Sequence, residues 1–499
     1  MNIAIKNKFL DMLPGILVWS TLLGAILFSF IKPIWAIYFI IAFDIYWMLK
    51  ILYLLFYMVS SWKKYKRDSS IHWMDKLISE KMPWDQYYHL IFLPIYKEPL
   101  EMIDNTFNHL IKTNYPKDKF IVVLAGEERG GKEEFIKKAD FISKKYGKYF
   151  KFFYTNIHPI DLPDELPGKG SNLFHAGHKI KEKIDEWKLD YDKIIVSTFD
   201  IDTCAHKEYF SCLTYKFILC KNPTRTSFQP LAVYNNNLWE SNPIIRVVAS
   251  STTFWLFTDL ARAEKLFTFS SHSMSFRALV DVGFWDKTIV SEDSRIFLQC
   301  FVHYNGQYSV EPMHIPVYMN TVDIGDFFTS IKNQYKQMRR WAWGIEHFPW
   351  LINNFFGKNG NKKIPLTKRV KIVFYHLEGM YTWATAPLLT FIVGHLPLWV
   401  APTQDIKMTL FQNAPVILSY LMRFSMIGLM VICVLYFLML PPLPAHLKKF
   451  NYLSILLQWL LVPFTIIFFG SIPATEAQTR LLLGGKYKLG FWVTEKRKI

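Results

Sequence analysis

The sequence predicts an α/β domain inserted between membrane-spanning α-helices. Of its 499 residues, 51% are hydrophobic and 17% are aromatic, which is too apolar for an ordinary soluble enzyme. Apolar runs long enough to span a bilayer lie toward both ends of the chain. Between them, short β-branched runs alternate with charged helical stretches, and this order predicts a mostly parallel sheet with crossover helices.

The N-terminal part of the chain predicts two membrane-spanning helices, over 13–31 and 34–60. The first run has no small-residue cleavage site and a second run follows it at once, which argues against a removed signal peptide. Lys6 and Lys8 precede the pair, and the basic stretch 63–67 follows it. Because basic loops are held on the cytoplasmic side, we expect both ends of the pair inside the cell.

The middle of the chain, residues 85–345, predicts the α/β domain. The segments "YHLIFLPIY", "FIVVLAG" and "KIIVSTFD" have the length and composition of strands, and "KEEFIKKADFISKKYGK" has that of a helix. In sheets of this kind, ligands bind at the carboxyl ends of the strands. Residues that carry chemistry are therefore expected at those ends.

Charge and cysteine usage argue against several classes of protein. The formal net charge of +17 is concentrated in basic clusters that flank the apolar runs. That placement is typical of cytoplasmic loops against anionic lipid and not of a nucleic-acid-binding face. The five cysteines include no CxxC pair and are scattered, so the sequence indicates neither a zinc site nor a disulfide framework, and the middle section is expected in a reducing, cytosolic setting.

Asp200 and Asp202 follow a predicted strand in "VSTFDIDTC". Side chains two residues apart on a strand share one face, so the two carboxylates are expected to lie together. Such a pair can hold Mg²⁺ or Mn²⁺ together with the phosphates of a substrate. A solvated acidic turn explains the same residues, and the sequence leaves both interpretations open.

Two further motifs have a functional and a structural interpretation. "VSEDSR" places Asp293 after a predicted turn, where a carboxylate could act as a general base. Ser291 could equally be the N-cap of a helix that carries acids in its first turn. "LPIYKEP" ends the first strand with Tyr96 and Glu98, which could hold a nucleobase or form a simple Glu-Pro turn.

The segment "GEERGGKE" matches the spacing of a phosphate-binding loop through Gly126, Gly131 and Lys132. Such a loop next requires a Ser or Thr for magnesium, and Glu133 stands there instead. The neighbouring glutamates would also repel a polyphosphate. The sequence therefore does not predict an ATPase.

"QMRRW" places Gln337, Arg340 and Trp341 on one face of a predicted helix, at i, i+3 and i+4. A Trp ring can stack on the apolar face of a sugar, and an Arg can bind a phosphate through two hydrogen bonds. A membrane-interface aromatic belt and an Arg-on-Trp stack are the alternatives. For the residues that follow, the belt is the favoured interpretation: Trp343, His347 and Trp350.

In this order, the motifs resemble those of membrane-embedded family 2 glycosyltransferases with the GT-A nucleotide-sugar fold, the group of cellulose, chitin and hyaluronan synthases. The resemblance covers roughly 85–345 and the flanking helices. Its motifs are P-x-Y-x-E as "PIYKE", D-x-D as "DID", the acidic base motif as "SED", and Q-x-x-R-W as "QMRRW". The tail "FWVTEK" is similar to the F-x-V-T-x-K gating loop of cellulose synthases, although a basic juxtamembrane tail is the alternative.

The resemblance implies a role for each matching residue. It implies donor binding by Tyr96, Glu98, Glu127 or Glu128, Lys169 in "LPGKGSN", Asp200, Arg340, Phe491, Val493, Thr494 and Lys496. It implies that Asp200 and Asp202 bind Mg²⁺ or Mn²⁺. It also implies that Asp293 is the catalytic base and that Glu292 and Asp202 are the other catalytic residues. It implies acceptor binding by Gln337 and Trp341, with His272 and Ser273 of "FSSHSMSFR" as further candidates. The family usually has an Asp after its second strand, where this chain offers the longer Glu127 or Glu128.

The resemblance and the apolar runs together divide the chain into segments. These are two transmembrane helices in 1–62, a cytosolic GT-A domain in 85–345, interfacial helices in 346–381, a transmembrane hairpin in 382–440, a transmembrane or re-entrant segment in 451–472 and a cytosolic tail in 473–499. Donor chemistry needs the domain and the tail on one side of the membrane. We therefore expect 451–472, interrupted by Pro463 and closed by Pro473, to be re-entrant or interfacial.

The function implied is inverting hexosyl transfer from a UDP-sugar to a growing polysaccharide, processive and coupled to export. The enzyme would be a multi-pass protein of the cell membrane with a cytosolic catalytic domain. Its partners would be the UDP-sugar, a glycan or lipid acceptor and membrane lipids, but no nucleic acid. Two alternatives stay open: transfer of a single sugar to a lipid, since ceramide glucosyltransferases carry similar motifs, and a non-enzymatic transporter or scaffold whose acidic turns are caps.

Overall fold

Two long helices open the chain. The computed structural model describes residues 3–402 and 409–490. Helix α1 spans Ile3–Ile31 and helix α2 spans Pro33–Ser70. Proline begins α2, at a position where its missing N–H group is not needed by the helix. Helix α2 runs beyond the apolar stretch and through the basic residues that follow it, so it joins the predicted span to the α/β domain.

A mixed eight-stranded sheet lies at the centre of the α/β domain. Its strands are β1 (Tyr88–Ile95), β2 (Phe120–Glu127), β3 (Phe152–His158), β4 (Ile194–Thr198), β5 (Cys204–Ala205), β6 (Thr226–Tyr234), β7 (Ser273–Ser275) and β8 (Ser309–Met319). Their order across the sheet is β3-β2-β1-β4-β7-β6-β8-β5. The ladders of β1 with β2 and β4, of β2 with β3 and of β6 with β8 are parallel, which confirms the predicted mostly parallel sheet.

Helices connect and cover these strands. They are α3 (Trp73–Ser79), α4 (Leu100–Ile111), α5 (Lys132–Tyr146), α6 (Lys169–Glu186), α7 (Tyr209–Leu219), α8 (Pro243–Leu260), α9 (Phe276–Asp281), α10 (Glu292–His303), α11 (Phe327–Ala342) and α12 (His347–Phe356). Every residue of β2 is buried, as expected for a parallel strand with both faces covered. The carboxyl ends of β1, β2 and β4 lead into the loops that carry the sequence motifs.

The short strand β7 departs from the parallel pattern. It lies between β4 and β6 and runs antiparallel to both of them. Its three residues come directly after His272 and lie within the "FSSHSMSFR" segment. The insertion of β7 therefore brings the "FSSHSMSFR" segment beside the end of β4, where Asp200 and Asp202 lie.

Helices also follow the α/β domain. They are α13 (Leu366–Phe391), α14 (Leu396–Val400), α15 (Thr409–Phe437), α16 (Asn451–Leu457), α17 (Val462–Thr465), a π-helical turn (Ile466–Ser471) and α18 (Ile472–Leu483). In the described part of the chain, four helical stretches are long and apolar enough to cross a membrane, or five if the bent pair of α13 and α14 counts as one span. The four are Lys8–Ile31, Pro33–Ser70, Phe411–Phe437 and Asn451–Leu483.

The segment 451–483 lies against the α/β domain near both of its ends. Close to its start, the guanidinium of Arg246 on α8 donates to the hydroxyl of Ser454 at 3.2 Å. Close to its end, Glu476 accepts hydrogen bonds from Tyr335 and Arg339 of α11 at 2.7 and 2.6 Å. These contacts matter for the site because α8 and α11 form one of its walls.

Candidate active site

Three acidic side chains from two parts of the chain surround one lysine. Lys169 is the first residue of α6, and its Nζ lies 2.9 Å from Oδ1 of Asp200, which follows β4. The same atom lies 3.0 Å from Oδ2 of Asp293 and 3.8 Å from Oε1 of Glu292, both in the first turn of α10. Burial disfavours the charged form of Lys169, but the three carboxylates outweigh it and raise its pKa. The ammonium is therefore a fixed positive charge inside an acidic cluster.

Asp200 and Asp202 leave β4 in different surroundings. The side chain of Asp202 is 3% exposed, and its Oδ2 accepts the backbone N–H of Asn320 at 3.2 Å. The side chain of Asp200 is 27% exposed, and its Oδ2 accepts the hydroxyl of Ser270 at 2.9 Å. Asp202 is buried and accepts a hydrogen bond from the residue that follows β8. It is therefore not part of a solvated acidic turn.

The two aspartates fit a divalent cation that is shared with a substrate. Carboxylate oxygens are the ligands that Mg²⁺ and Mn²⁺ prefer in proteins. Within residues 3–402 and 409–490, no group of three His, Cys, Asp or Glu side chains is arranged to hold a metal. Asp200 and Asp202 would therefore supply part of a coordination shell, and phosphate oxygens and water would supply the rest.

Ser291 occupies the N-cap position of α10, as the cap interpretation predicts, but its side chain does not cap the helix. Its hydroxyl donates instead to the carboxylate of Glu346. Glu292 is buried, and its pKa is raised by that burial and by the neighbouring charge of Asp293. The side chain of Asp293 is 20% exposed, so Asp293 is the carboxylate of this turn that a substrate can reach.

His272 and Ser273 are both buried, and only His272 lies near the acidic cluster. Its Nδ1 is 3.8 Å from Oδ1 of Asp293 and donates to a backbone carbonyl three residues earlier at 3.1 Å. Burial lowers the pKa of His272, so the ring is neutral near pH 7. The hydroxyl of Ser273 already bonds to Ser197 at 2.7 Å and to Tyr209 at 2.9 Å, and its contact with an acceptor stays a prediction.

The turn after β1 contains Tyr96 and Glu98. The carboxylate of Glu98 accepts the backbone N–H of Tyr96 at 2.7 Å, so Glu98 shapes this turn. The loop after β2 packs directly on it, because a Cβ atom added to Gly130 would lie 2.0 Å from the carbonyl oxygen of Tyr96. Glycine is required at that position, and the two loops form one continuous wall.

Glu127 ends β2 and Glu128 follows it, and of the two only Glu127 faces inward. Glu127 is 4% exposed, pairs with Arg129 and has its pKa raised to about 7, chiefly by burial. Glu128 instead accepts the backbone N–H of Ile160 and the ammonium of Lys132, each at 3.3 Å, and these hydrogen bonds lower its pKa. Glu127 is therefore the better candidate for the carboxylate that reads a nucleobase.

The "QMRRW" motif lies on α11, where Gln337, Arg340 and Trp341 are all half-buried. The indole of Trp341 lies 6.2 Å from the ring of Tyr234 at the end of β6. The guanidinium of Arg340 is close enough to Glu292 to favour its ionised form. One face of α11 therefore carries a positive charge toward the acidic cluster and an aromatic surface beside it.

A small, partly open cavity lies beside Trp341. Its lining includes Tyr234, Ala249, Thr252, Asn320, Gln334, Gln337 and Trp341. The backbone of Asn320 binds Asp202, so the cavity adjoins the predicted metal ligand. The side-chain nitrogen of Asn320 is buried and has no hydrogen-bond partner among the described residues, which leaves a donor for a polar ligand.

The aromatic-belt interpretation is wrong for Trp343 and His347. Their side chains are 2% and 1% exposed, because α12 folds back against the N-terminal turn of α10. The indole Nε1 of Trp343 donates to Oε2 of Glu346 at 2.8 Å. Trp350 is half-buried, and the guanidinium of Arg295 lies 4.6 Å from the centre of its ring. These rings contact protein where the belt interpretation places lipid.

The tail candidates Phe491, Val493, Thr494 and Lys496 lie outside the described residues, and their role stays a prediction. Three other partners of the site are missed by the sequence patterns. They are Arg129 on Glu127, Ser270 on Asp200 and Asn320 on Asp202. Ser270 could have been found from the sequence, since it belongs to the "FSSHSMSFR" segment. Asn320 binds Asp202 through its backbone N–H, which no pattern of residue types indicates.

The sequence matches the profile of a known protein family. The profile of the family described as "Glycosyl transferase family group 2" matches residues 195–471, a range that includes "DID", "SED" and "QMRRW". No curated protein matches the chain.

Two solved structures are similar in part. One is the mannosyltransferase PcManGT from Pyrobaculum calidifontis in complex with GDP-Man and Mn²⁺, at 12% identity and a TM-score of 0.43, over 75% of this chain and 99% of that one. The other is residues 1–349 of TarS from S. aureus in complex with UDP-GlcNAc, at 12% identity and a TM-score of 0.37, over 70% and 90%. Since the family profile spans more than half of the sequence, the chain belongs to glycosyl transferase family group 2 and is a glycosyltransferase.

Proposed function

We propose that this glycosyltransferase is an inverting membrane enzyme of the GT-A type that moves a sugar from a UDP-sugar to a growing polysaccharide. One observation carries the proposal, namely the meeting of Asp200 and Asp293 on Lys169 at the carboxyl end of β4. A diphosphate donor needs positive charge and metal ligands, and an acceptor hydroxyl needs a base. The cluster offers both within one hydrogen-bonded group of side chains.

Asp293 is the proposed base. Of the two carboxylates in the first turn of α10, it is the one that an acceptor can reach. It takes the proton of the acceptor hydroxyl as that oxygen attacks the anomeric carbon of the donor sugar. The new bond joins the acceptor oxygen to this carbon, the bond from this carbon to the diphosphate breaks, and UDP leaves with the electron pair. A single displacement of this kind inverts the anomeric centre and forms no covalent enzyme intermediate.

The departing diphosphate is stabilised by positive charge. Asp200 and Asp202 would hold Mg²⁺ or Mn²⁺, which supplies charge stabilisation for the leaving group. Lys169, inside the cluster, and Arg340, on α11 near Glu292, add two fixed cations. Preorganised charges of this kind are usually among the largest contributions to catalysis.

Glu127 and Arg129 are the proposed readers of the nucleobase, beside the turn of Tyr96 and Glu98. The imide edge of uracil presents one N–H donor between two carbonyl acceptors. The Glu127 carboxylate can accept from the donor while Arg129 donates to an acceptor. The two side chains are already paired in the structure, so their relative position is set before a nucleotide binds.

The same proposal places the enzyme in the cell membrane with its α/β domain in the cytosol and membrane lipids as partners. Segment 451–483 contacts α8 near its start and α11 near its end, which supports a re-entrant or interfacial course over a full crossing. Cysteines introduced at Lys449 and Lys486 should then both react with a reagent added to the cytosolic face. Opposite sidedness of the two positions contradicts this topology.

A second candidate function, transfer of one sugar to a lipid, is favoured by the cavity beside Trp341. This cavity is small, and hydroxyl and amide side chains such as Thr252, Gln334 and Gln337 line it. Trp341 also packs against an apolar cluster of Val248, Met338 and Phe469. A small polar chamber beside apolar packing suits an acceptor with one reacting hydroxyl and an apolar tail.

The test is UDP release by the purified protein in detergent, with a panel of UDP-sugars and either Mg²⁺ or Mn²⁺. Asp293→Asn is assayed beside wild type, with the exposed Glu182→Gln on α6 as the control substitution. Metal-dependent release from one donor, lost in Asp293→Asn and kept in the control, is the expected result. Sizing the product then separates a polysaccharide from a glycolipid.

GDP-mannose and other non-uridine donors are included as a further arm. Turnover of one of these donors, with none of any UDP-sugar, contradicts the uridine part of the proposal and retains the transferase. Full activity of Asp293→Asn contradicts the assignment of the base.

A further inference from the structure

The first turn of α10 is tied to the chain that follows "QMRRW". The hydroxyl of Ser291, at the N-cap of α10, donates to Oε1 of Glu346. The other oxygen of the same carboxylate accepts the indole N–H of Trp343 at 2.8 Å. Glu346 therefore bridges two donors, one of which lies next to the acidic pair Glu292 and Asp293. Burial raises the pKa of Glu346, and its two hydrogen bonds oppose that rise by favouring the ionised form.

His347 makes the second tie to α10. Its Nδ1 accepts the Nε–H of Arg295 at 3.2 Å, and its Nε2 lies 2.7 Å from the hydroxyl of Ser294. Burial lowers the pKa of His347 far below its usual value, and the charge of Arg295 lowers it further, so the ring is neutral. A neutral ring that accepts at Nδ1 carries its proton on Nε2. It therefore donates to Ser294, whose hydroxyl in turn donates to the carbonyl of Ser291 at 3.3 Å.

Arg295 completes the attachment. Its guanidinium is 3.4 Å from Oδ2 of Asp286 and lies 4.6 Å from the ring centre of Trp350 on α12. The side chain is 3% exposed, so these contacts are made away from water. Ser291, Ser294 and Arg295 lie within about one turn, on one side of the α10 N-terminus, while Asp293 points to Lys169 on the other.

We propose that Glu346 and His347 are positioning residues, which hold the first turn of α10 on α12 and thereby aim Asp293 at the acceptor. This inference rests on the proposed function of Asp293 as the base. The hydrogen bonds of both side chains lead to α10 or to the neighbouring Trp343 and do not reach Lys169 or the aspartates of the cluster. They act on catalysis through the helix that carries Asp293.

The consequence is a mechanical link between the membrane-adjacent part of the chain and the base. Helix α12 directly precedes α13, which carries the first apolar stretch after the α/β domain. A displacement of a catalytic group by about 1 Å can lower a rate by about 10²-fold. We call Glu346 and His347, with their hydrogen bonds to the first turn of α10, the clamp. The clamp therefore sets turnover, whereas donor binding depends on residues after β1, β2 and β4 that the clamp does not touch.

The experiment compares Glu346→Ala and His347→Ala with Asn354→Ala, a matched control on α12 whose side-chain amide donates to the carbonyl of Trp350. We expect kcat to fall about 10- to 100-fold in the first two variants, while the donor KM and the Kd for UDP with Mn²⁺ change less than about twofold. Ser291→Ala combined with Glu346→Ala should be no slower than Glu346→Ala alone, because both remove the same hydrogen bond.

A second readout needs no turnover. Hydrogen–deuterium exchange of the backbone amides in 292–297 should accelerate in Glu346→Ala and His347→Ala and stay unchanged in Asn354→Ala. Unchanged exchange overturns the clamp itself, whether or not a donor has been found. Faster exchange with unchanged kcat overturns its link to catalysis. Equal losses of kcat and of UDP affinity overturn it too, because they indicate general damage to the fold.

Discussion

The ammonium of Lys169 donates to both carboxylate oxygens of Asp293, at 3.1 and 3.0 Å. A carboxylate held in this way is a poor base, because the two hydrogen bonds from Lys169 occupy the lone pairs that would accept a proton. The same ammonium also contacts Asp200, the proposed ligand of the metal and donor. A donor diphosphate would compete with Asp293 for Lys169. Binding of the donor diphosphate to Lys169 would then free Asp293 to act as the base.

Replacing Lys169 by Gln removes the ammonium for which Asp293 and the donor diphosphate would compete. We expect kcat/KM to fall about 10²- to 10³-fold, the range typical for loss of one preorganised donor to a developing negative charge. Lys169→Arg keeps the charge but not the compact geometry, and should recover only part of the rate. Steady-state kinetics on the donor identified by UDP release provide the measurement.

The matched control for this prediction is Lys179→Gln, on the same helix but in an exposed pair with Glu182. It should leave the kinetics unchanged, since exposed pairs contribute little. A Lys169→Gln enzyme that keeps the wild-type kcat/KM would show that the lysine is only a structural counter-ion.

Gly170 allows α6 to approach the catalytic turn. A Cβ atom at this position would lie 2.9 Å from the carbonyl oxygen of Asp286 and 3.2 Å from Cβ of Glu292. Gly170→Ala should therefore push α6 and α10 apart, with a cost of about 1–3 kcal/mol in stability and a lower kcat. Thermal unfolding and turnover measure the two effects.

Gly379→Ala is the control for Gly170→Ala. Gly379 lies inside α13, and an added Cβ there meets no atom within 4 Å. Alanine favours a helix over glycine by about 1 kcal/mol, so this variant should be as stable as wild type or more so. A Gly170→Ala protein that matches it in both measurements would contradict the close approach.

The sequence predicts the first half of the sheet well, and for a local reason. β1, β2 and β4 are largely apolar runs of strand length, and the motif residues stand at the end of each strand or shortly after it. Their convergence then follows from the rule that the carboxyl ends of parallel strands share one edge of the sheet. Lys169, Asp200 and Asp293 are brought together as the motifs imply.

The contacts that cross the chain are not predictable in the same way. Strand β7 has three residues, too few for a periodic signal, and its pairing with β4 depends on the whole sheet. Trp343 and His347 stand before an apolar run, where composition alone suits a lipid interface as well as a buried helix contact. Their burial against α10 depends on the fold of a helix whose first turn precedes Trp343 by about fifty residues.

The pKa of Glu127 predicts a change of stability with pH. Burial raises it from 4.5 to about 7 in the folded protein, so the folded state binds this proton more tightly than the unfolded state. The stabilising contribution of the protonated form is complete below pH 4.5 and is lost as the pH rises through about 7. Glu127→Gln keeps a neutral side chain at every pH.

The difference in Tm between Glu127→Gln and wild type should therefore become more positive from pH 5 to pH 7.5. The exposed Glu182→Gln should show no such trend. Thermal unfolding in one detergent and salt across this range checks the prediction. A difference that is flat, or that falls with pH, would mean that Arg129 keeps Glu127 ionised throughout.

The cavity beside Trp341 can be tested by filling it. Ala249 on α8 lines the cavity and is 7% exposed, so Ala249→Leu adds three carbon atoms to a small space. Asp200, Asp202 and Lys169 are not part of this lining. Filling should then lower transfer to the acceptor at least tenfold, while the Kd for UDP and the slow hydrolysis of the donor by water stay near wild type.

Ala263→Leu, at an exposed position just beyond α8, controls for the added bulk and should transfer sugar normally.

Product analysis also distinguishes the two candidate functions. If the acceptor end is a sugar that stacks on Trp341, Trp341→Phe should retain more transfer than Trp341→Leu, because a flat ring remains. If it is a lipid-borne hydroxyl beside Val248 and Phe469, both variants should transfer equally. Undiminished transfer by Ala249→Leu would place the acceptor elsewhere, because a filled cavity cannot hold it.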